Sequence, residues 1–279
     1  IADRVIALVG APDTYDPAGS RELRDTVIAG WQKAWKKTGD ALFKGLVSPS
    51  PLIGKQTLRL EEFTVTRDMS DMEQFYFLAG RKLFAIGAMD GSFPPVGRLL
   101  GDQGGIWSLP VKLMDGFEIR IDEDGYDPWS LEDCRYFVNE LSSCSFRFLR
   151  NALSVSRKEF VSEDEPALLA TVRIRNLTDV SRLLRINFTG YVNIRPGWKA
   201  GLPNGLDRIE YGDDLVYASD QLLAEQGVLF GSKSKPVSRK LEDNRATLTY
   251  TLEIPPSGDG ELTFIILAQR GIEKRTLRG

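Results

Sequence analysis

The sequence predicts a mainly β chain, a large antiparallel β-sandwich with an N-terminal helix. Three observations carry that prediction. From about residue 55 onward, short apolar runs such as "RATLTYTLEIP" and "ELTFIILAQ" recur at regular intervals with turn residues between them, the rhythm of a sandwich or barrel. Only one stretch has strong helical periodicity, and it lies near the start. Finally, 279 residues that are 42% hydrophobic and 27% charged can bury a large core.

Residues 1–50 form an N-terminal segment. Val5, Ala7 and Val9 alternate before the turn-rich "GAPDTYDPAG". Ser20 is a good N-cap, with Glu22 and Asp25 in the first turns, where the helix dipole favours acids. Leu23, Val27, Ile28, Trp31 and Trp35 then recur at helical spacing, and Gly39 can end the helix, giving a span of about 20–38. Its two tryptophans suit a core or domain contact, with sugar stacking as the sharper alternative.

Residues 51–279 are assigned to the sandwich. "QTLRLEEFTVTR" alternates, and "FYFLAGRKLFAIGAMDG" reads as two strands joined by a turn at Gly80–Arg81. "ALLATVRIRNLTDVSRLLRINFTGYV" reads as a long hairpin turning at "NLTDVSR", and "IPPSGDGELTFIILA" as a turn feeding a buried strand. Cys134 and Cys144 suit two buried thiols better than a disulfide in a chain of this size. Asn176-Leu-Thr178 and Asn187-Phe-Thr189 match the glycosylation acceptor pattern, which is short enough to arise by chance.

Composition also excludes chemistry. The chain has no histidine, which removes Ser-His-Asp and Cys-His nucleophilic sites, histidine bases and nearly all common zinc geometries. No metal or cofactor is expected. A net charge of −3 gives no reason to expect nucleic acid or an anionic membrane as partner. No apolar run approaches the roughly 20 residues of a membrane-spanning helix. The chain starts at Ile1 and ends in "GIEKRTLRG", which reads as a fragment of something longer. A cytoplasmic location is favoured over a periplasmic or secreted one.

The candidate site residues cluster in "AMDGSFPPVGRLLGDQGGIWSLPVKLMDGF", residues 88–117. Asp90, Asp102 and Asp115, with Glu118 close behind, could supply a carboxylate pair for glycoside hydrolysis. The plainer reading makes Asp90–Gly91 and Asp115–Gly116 turn dipeptides. Trp107 follows Gly104–Gly105 and precedes Lys112, while Trp129 and Trp198 sit on similar turn-rich stretches. Each tryptophan is either a packing anchor towards a neighbouring domain or a sugar-stacking platform. No phosphate-binding glycine pattern is present here.

Three stretches together carry a resemblance: residues 83–122 around that insertion, the 167–192 strands, and "YASDQLLAEQGVLFGSKSKP". They resemble the N-terminal β-supersandwich domain of bacterial glycogen-debranching-type glycosidases, relatives of glucoamylases and α-glucosidases. The resemblance implies a galactose-mutarotase-like sandwich followed by an (α/α)6 catalytic domain beyond residue 279. That absent domain would hold the catalytic carboxylates, so no catalytic residue is assigned in this chain. An independent mutarotase, which would use a histidine, does not fit. The function implied is an accessory domain of an α-glucan-acting glycoside hydrolase, stabilising the catalytic barrel and shaping its cleft. Its partners would be that barrel and an α-glucan or oligosaccharide. The alternatives are an independent carbohydrate-binding module using Trp107, Trp129 and Trp198, or a sandwich interaction protein unrelated to sugars.

Overall fold

In the structure, a computed structural model, residues 65–68, 74–94, 103–140, 142–197, 207–220 and 226–270 are described. They contain seventeen strands and no helix. The helix expected at 20–38, with Trp31 and Trp35, lies outside the described residues, as do Asp102 and Trp198.

In chain order the first strands are β1 (Val65–Asp68), β2 (Phe75–Ala79), β3 (Phe84–Ala88), β4 (Gly105–Ser108), β5 (Val111–Asp122) and β6 (Trp129–Ser130). Next come β7 (Tyr136–Asn139), β8 (Ser143–Arg150), β9 (Leu153–Val161), β10 (Ala167–Asn176), β11 (Arg182–Pro196) and β12 (Asp207–Gly212). The last are β13 (Leu215–Asp220), β14 (Gln226–Ser232), β15 (Ser238–Glu242), β16 (Arg245–Ile254) and β17 (Asp259–Arg270).

They assemble into two antiparallel sheets. One has nine strands in the order β1-β7-β8-β9-β10-β17-β14-β13-β12; the other runs β15-β16-β11-β5-β4-β3-β2, with β6 paired beside β5. Period-2 alternation explains the arrangement, because each strand turns one row of side chains inward. On β11 the inward row is Leu184, Ile186, Phe188, Gly190, Val192 and Ile194, all buried. Phe188 meets Phe264 of the opposite sheet at 4.4 Å and Phe117 of its own at 5.3 Å. Aromatic burial of this size dominates the cohesion of such a core.

The β2–β3 hairpin at Gly80–Arg81 and the antiparallel β13–β14 pair form as expected. The long hairpin expected over 167–192 does not. β10 pairs with β9 and β17 in the nine-stranded sheet, whereas β11 pairs with β5 and β16 in the other. Residues 177–181 therefore cross between the layers. Asn176 fixes that corner: its Oδ1 accepts from Thr178 N and Oγ1 at 3.0 and 2.7 Å. This is an Asx-type turn, which redirects the backbone without a hairpin. Its Nδ2 donates to Val180 O and to Pro255 O, at 2.7 and 3.1 Å. Pro255 belongs to another crossover, between β16 and β17, so one amide ties the two corners together. Asn187, in the other acceptor pattern, is likewise engaged with Asp122 and Thr249.

Cys134 and Cys144 are free and buried. Cys134 Sγ donates to Met89 O at 3.0 Å, and burial pushes its thiol up to about 12.

Candidate functional site

The outward row of the eight-stranded sheet is polar where the inward row is apolar. On β11 it reads Asn187, Thr189, Tyr191, Asn193; on β16, Arg245, Thr247, Thr249. β5 contributes Glu118, Arg120 and Asp122 in register beside them. These side chains bond to one another. Thr189 and Thr247 hydroxyls meet at 2.9 Å, and Thr249 Oγ1 donates to Asn187 Oδ1 at 2.7 Å.

At one point in this face three adjacent strands lose register together. β4–β5 pairing shifts between Ile106 and Trp107, and β5–β11 pairing shifts on both sides of Val192. Gly116 lies at the break with φ of 144°, and a Cβ there would come within 2.3 Å of the Phe93 ring. Asp115–Gly116 is thus a β-bulge inside a twelve-residue strand, not the turn its dipeptide suggested. Bulges re-aim side chains and recur beside functional sites. Asp90–Gly91, by contrast, is a turn, with Asp90 Oδ1 accepting from Ser92 N and Oγ at 2.7 Å each.

The bulge aims Asp115 outward. Its Oδ1 lies 2.6 Å from Lys112 Nζ and accepts from Asn193 Nδ2 at 2.8 Å. The Lys112 side chain is only 2% exposed, whereas that of Asp115 is 45% exposed. A buried ammonium needs such a partner, since desolvating an uncompensated charge is costly. Beside this pair, Glu118 accepts from Tyr191 OH at 3.0 Å and from the Ser130 hydroxyl. Partial burial first, then the Glu118 charge, raises the Tyr191 phenol. Leu131 N donates to Ile119 O at 2.8 Å, which continues the β5–β6 pairing towards Glu132. Burial and then the charges of Glu118 and Asp90 raise the Glu132 carboxyl. Among the described residues no set of three or more Cys, Asp or Glu side chains is arranged to hold a metal.

The structure therefore gathers Trp107, Lys112 and Asp115 at one place. Trp107 is 9% exposed, stacked on Phe84 at 6.0 Å with a 3° interplanar angle. Its Nε1 donates to Gln103 O, and Lys112 Nζ lies 5.8 Å from the ring. Trp129 is elsewhere, paired opposite Ile121 near the far end of β5, 6% exposed and packed on Phe148. Of the three tryptophans that a binding module would use, Trp107 and Trp129 are buried and Trp198 lies outside the described residues. Trp107 and Trp129 occupy strand positions whose neighbours cover both rings. Tyr191, Asn193 and Ser130 were not singled out in the sequence, although the alternation in "RINFTGYVNI" marks Asn187, Thr189, Tyr191 and Asn193 as one outward row.

Exposed apolar side chains lie on the edge strand β2 and in the turn between β4 and β5 of the same sheet. Phe75, Phe77 and Leu109 are 47%, 56% and 64% exposed. Phe77 packs on Phe84 at 5.3 Å. A cleft of about 390 Å³ opens between Arg81, Lys82, Phe84, Leu109 and Pro166.

No protein-family model and no curated protein matches this chain. Among solved structures, a protein assigned as a kojibiose phosphorylase from the human microbiome aligns over 80% of this chain and 34% of its own. The identity is 10% and the TM-score 0.52. An Escherichia coli K12 protein assigned as an aldose 1-epimerase aligns over 71% of this chain and 99% of its own, at 9% identity and a TM-score of 0.46. A GH36 α-galactosidase from Geobacillus stearothermophilus aligns over 74% of this chain and 41% of its own, at 8% identity and a TM-score of 0.37. The chain thus spans about a third of the phosphorylase it matches, and the likeness is one of sandwich fold.

Proposed function

We propose that this chain is the accessory β-sandwich portion of an enzyme acting on α-glucan, of the glycogen-debranching or α-glucosidase type. In this reading the sandwich packs against an (α/α)6 catalytic portion of the same polypeptide and shapes its substrate cleft. The observation that supports it is the exposure of Phe75 and Phe77 on the edge strand β2. Exposed aromatic side chains side by side on an open sheet edge mark interaction surfaces. The fold shared with a protein assigned as a kojibiose phosphorylase, of whose chain the alignment covers 34%, is consistent with a part that works beside another. Catalysis is assigned to that other part; here Glu118 is held by two hydroxyls and one oxygen of Asp115 by Lys112 and Asn193.

The test assays the complete polypeptide and the 1–279 chain side by side on limit dextrin, maltotriose and kojibiose, with and without phosphate. Turnover by the complete polypeptide alone is expected. Turnover by 1–279 alone, or none by either, overturns the reading.

A further inference from the structure

We infer that Asp115 and Asn193 form a contact point for a neutral saccharide chain on the outer face of the eight-stranded sheet. The inference rests on the carbohydrate reading above and adds to it the residues and the ligand class. Asp115 Oδ1 holds both Lys112 Nζ and Asn193 Nδ2, at 2.6 and 2.8 Å. Among the described residues its Oδ2 takes no hydrogen bond, although the side chain is 45% exposed. One carboxylate oxygen is therefore pinned by two donors while the other is presented, already oriented, to an incoming hydroxyl. Such preorganisation lowers the ordering cost of binding.

Charge selects the occupant. Lys112 cancels Asp115, Arg120 lies 3.1 Å from Asp122, and Arg245 lies 2.6 Å from Glu242. Glu118 is satisfied by two hydroxyls. Lys112, Arg120 and Arg245 each face a carboxylate, so the face gives little electrostatic pull to a polyanion or a polycation. What remains is rows of hydroxyls and amides, which complement a ligand rich in hydroxyls. The three coincident register breaks put Asp115 at the centre of this face.

The test is a titration of the isotopically labelled 1–279 chain with maltoheptaose up to about 10 mM, enough to saturate a millimolar site. Backbone amide shifts that saturate and cluster at 112–118 and 191–195 are expected. Asp115→Asn and Asn193→Ala should each weaken binding about 10-fold or more, the scale of a lost charge-assisted hydrogen bond. Arg173→Gln, on the nine-stranded sheet, should leave it unchanged. Because the mapping uses the wild-type chain, a variant that fails to fold does not blunt the test. No saturable shift, shifts confined to other strands, or a response to calcium chloride but not to maltoheptaose would each overturn the inference. A chain blind to maltoheptaose, within a complete polypeptide that still cleaves α-glucosides, sinks this site alone. Saccharide binding at Asp115 with an inactive complete polypeptide sinks the accessory reading instead.

Discussion

Arg157 and Glu159 lie two residues apart on β9 and both point into the core, with Nε 3.1 Å from Oε1 and side chains 1% and 0% exposed. They occupy positions that alternation reserves for apolar residues, between Val155 and Val161. Arg157 donates to Gly91 O at 2.6 Å and to Leu131 O at 3.0 Å, and its guanidinium lies 4.2 Å from the Phe146 ring. Glu159 accepts from Tyr76 OH at 2.6 Å. One buried cluster thereby links β9 to β2, to the Asp90–Gly91 turn and to the segment after β6.

Arg157→Leu should cost about 3–5 kcal/mol, because it strands a buried carboxylate and two carbonyls. Glu159→Gln should cost less, since an amide still accepts from Tyr76. Burial foremost raises the Glu159 carboxyl, against the lowering effect of Arg157. A raised carboxyl contributes stability that is complete below its unfolded pKa and is lost as pH rises through the folded one. The deficit of Glu159→Gln relative to wild type should therefore shrink from acid to neutral pH. Urea unfolding at several pH values measures it; a deficit that grows with pH contradicts the assignment.

Asn176→Ala removes two donated and two accepted hydrogen bonds from a fully buried side chain. The β10–β11 and β16–β17 crossovers lose their shared tie. A loss of about 2–3 kcal/mol is expected, the scale of leaving buried partners unsatisfied. Hydrogen exchange should report it locally, with faster exchange at Ser257, whose N–H donates to Thr178 O at 2.8 Å. Unchanged protection at Ser257 would show that the corners hold without Asn176.

Alternation told which face of a strand is buried, but not which sheet the strand joins. Leu168, Ala170 and Val172 on β10 alternate as cleanly as Ile186 and Phe188 on β11, because both rows line one core from opposite sides. The sequence at 177–181 therefore has the look of a hairpin turn although the chain crosses between the sheets there. Asp115–Gly116 carried the composition of a turn, and only pairing with β11 distinguishes a bulge from one. The candidate site was legible in part, through Trp107, Lys112 and Asp115. Asn193 lay hidden seventy-eight residues from its partner. The burial of Trp107 and Trp129 depends on neighbours that sequence spacing does not supply.

Both thiols should be silent in the native state. Cys134 is held at about 12 and burial raises Cys144 as well, so thiolate, the reactive form, is scarce at neutral pH. An aromatic disulfide reagent should titrate neither thiol in the folded chain and both in guanidinium. Rapid labelling of either without denaturant would mean that the 134–144 region opens more readily than its packing implies.

Gly116→Ala tests whether the bulge is built or incidental. The added Cβ would sit 2.3 Å from Phe93 Cγ and 2.4 Å from its Cβ, at a φ of 144° that L residues rarely adopt. Phe93 cannot retreat freely, because its ring packs on Phe117 at 5.0 Å and on Tyr76 at 6.4 Å. A cost of about 2 kcal/mol or more follows from overpacking and backbone strain together. Gly125→Ala is the control: it shares a positive φ, 86°, but has no atom within 4 Å of the new Cβ, so it carries the strain without the clash. Thermal melts should rank Gly116→Ala well below Gly125→Ala. The local consequence is more telling. If the bulge positions Asp115, then Gly116→Ala should also release Lys112 Nζ and Asn193 Nδ2 from its carboxylate, visible as faster side-chain exchange in both. Equal melting temperatures for the two variants, with those exchange rates unmoved, would mean that the register break serves only the packing of Phe93.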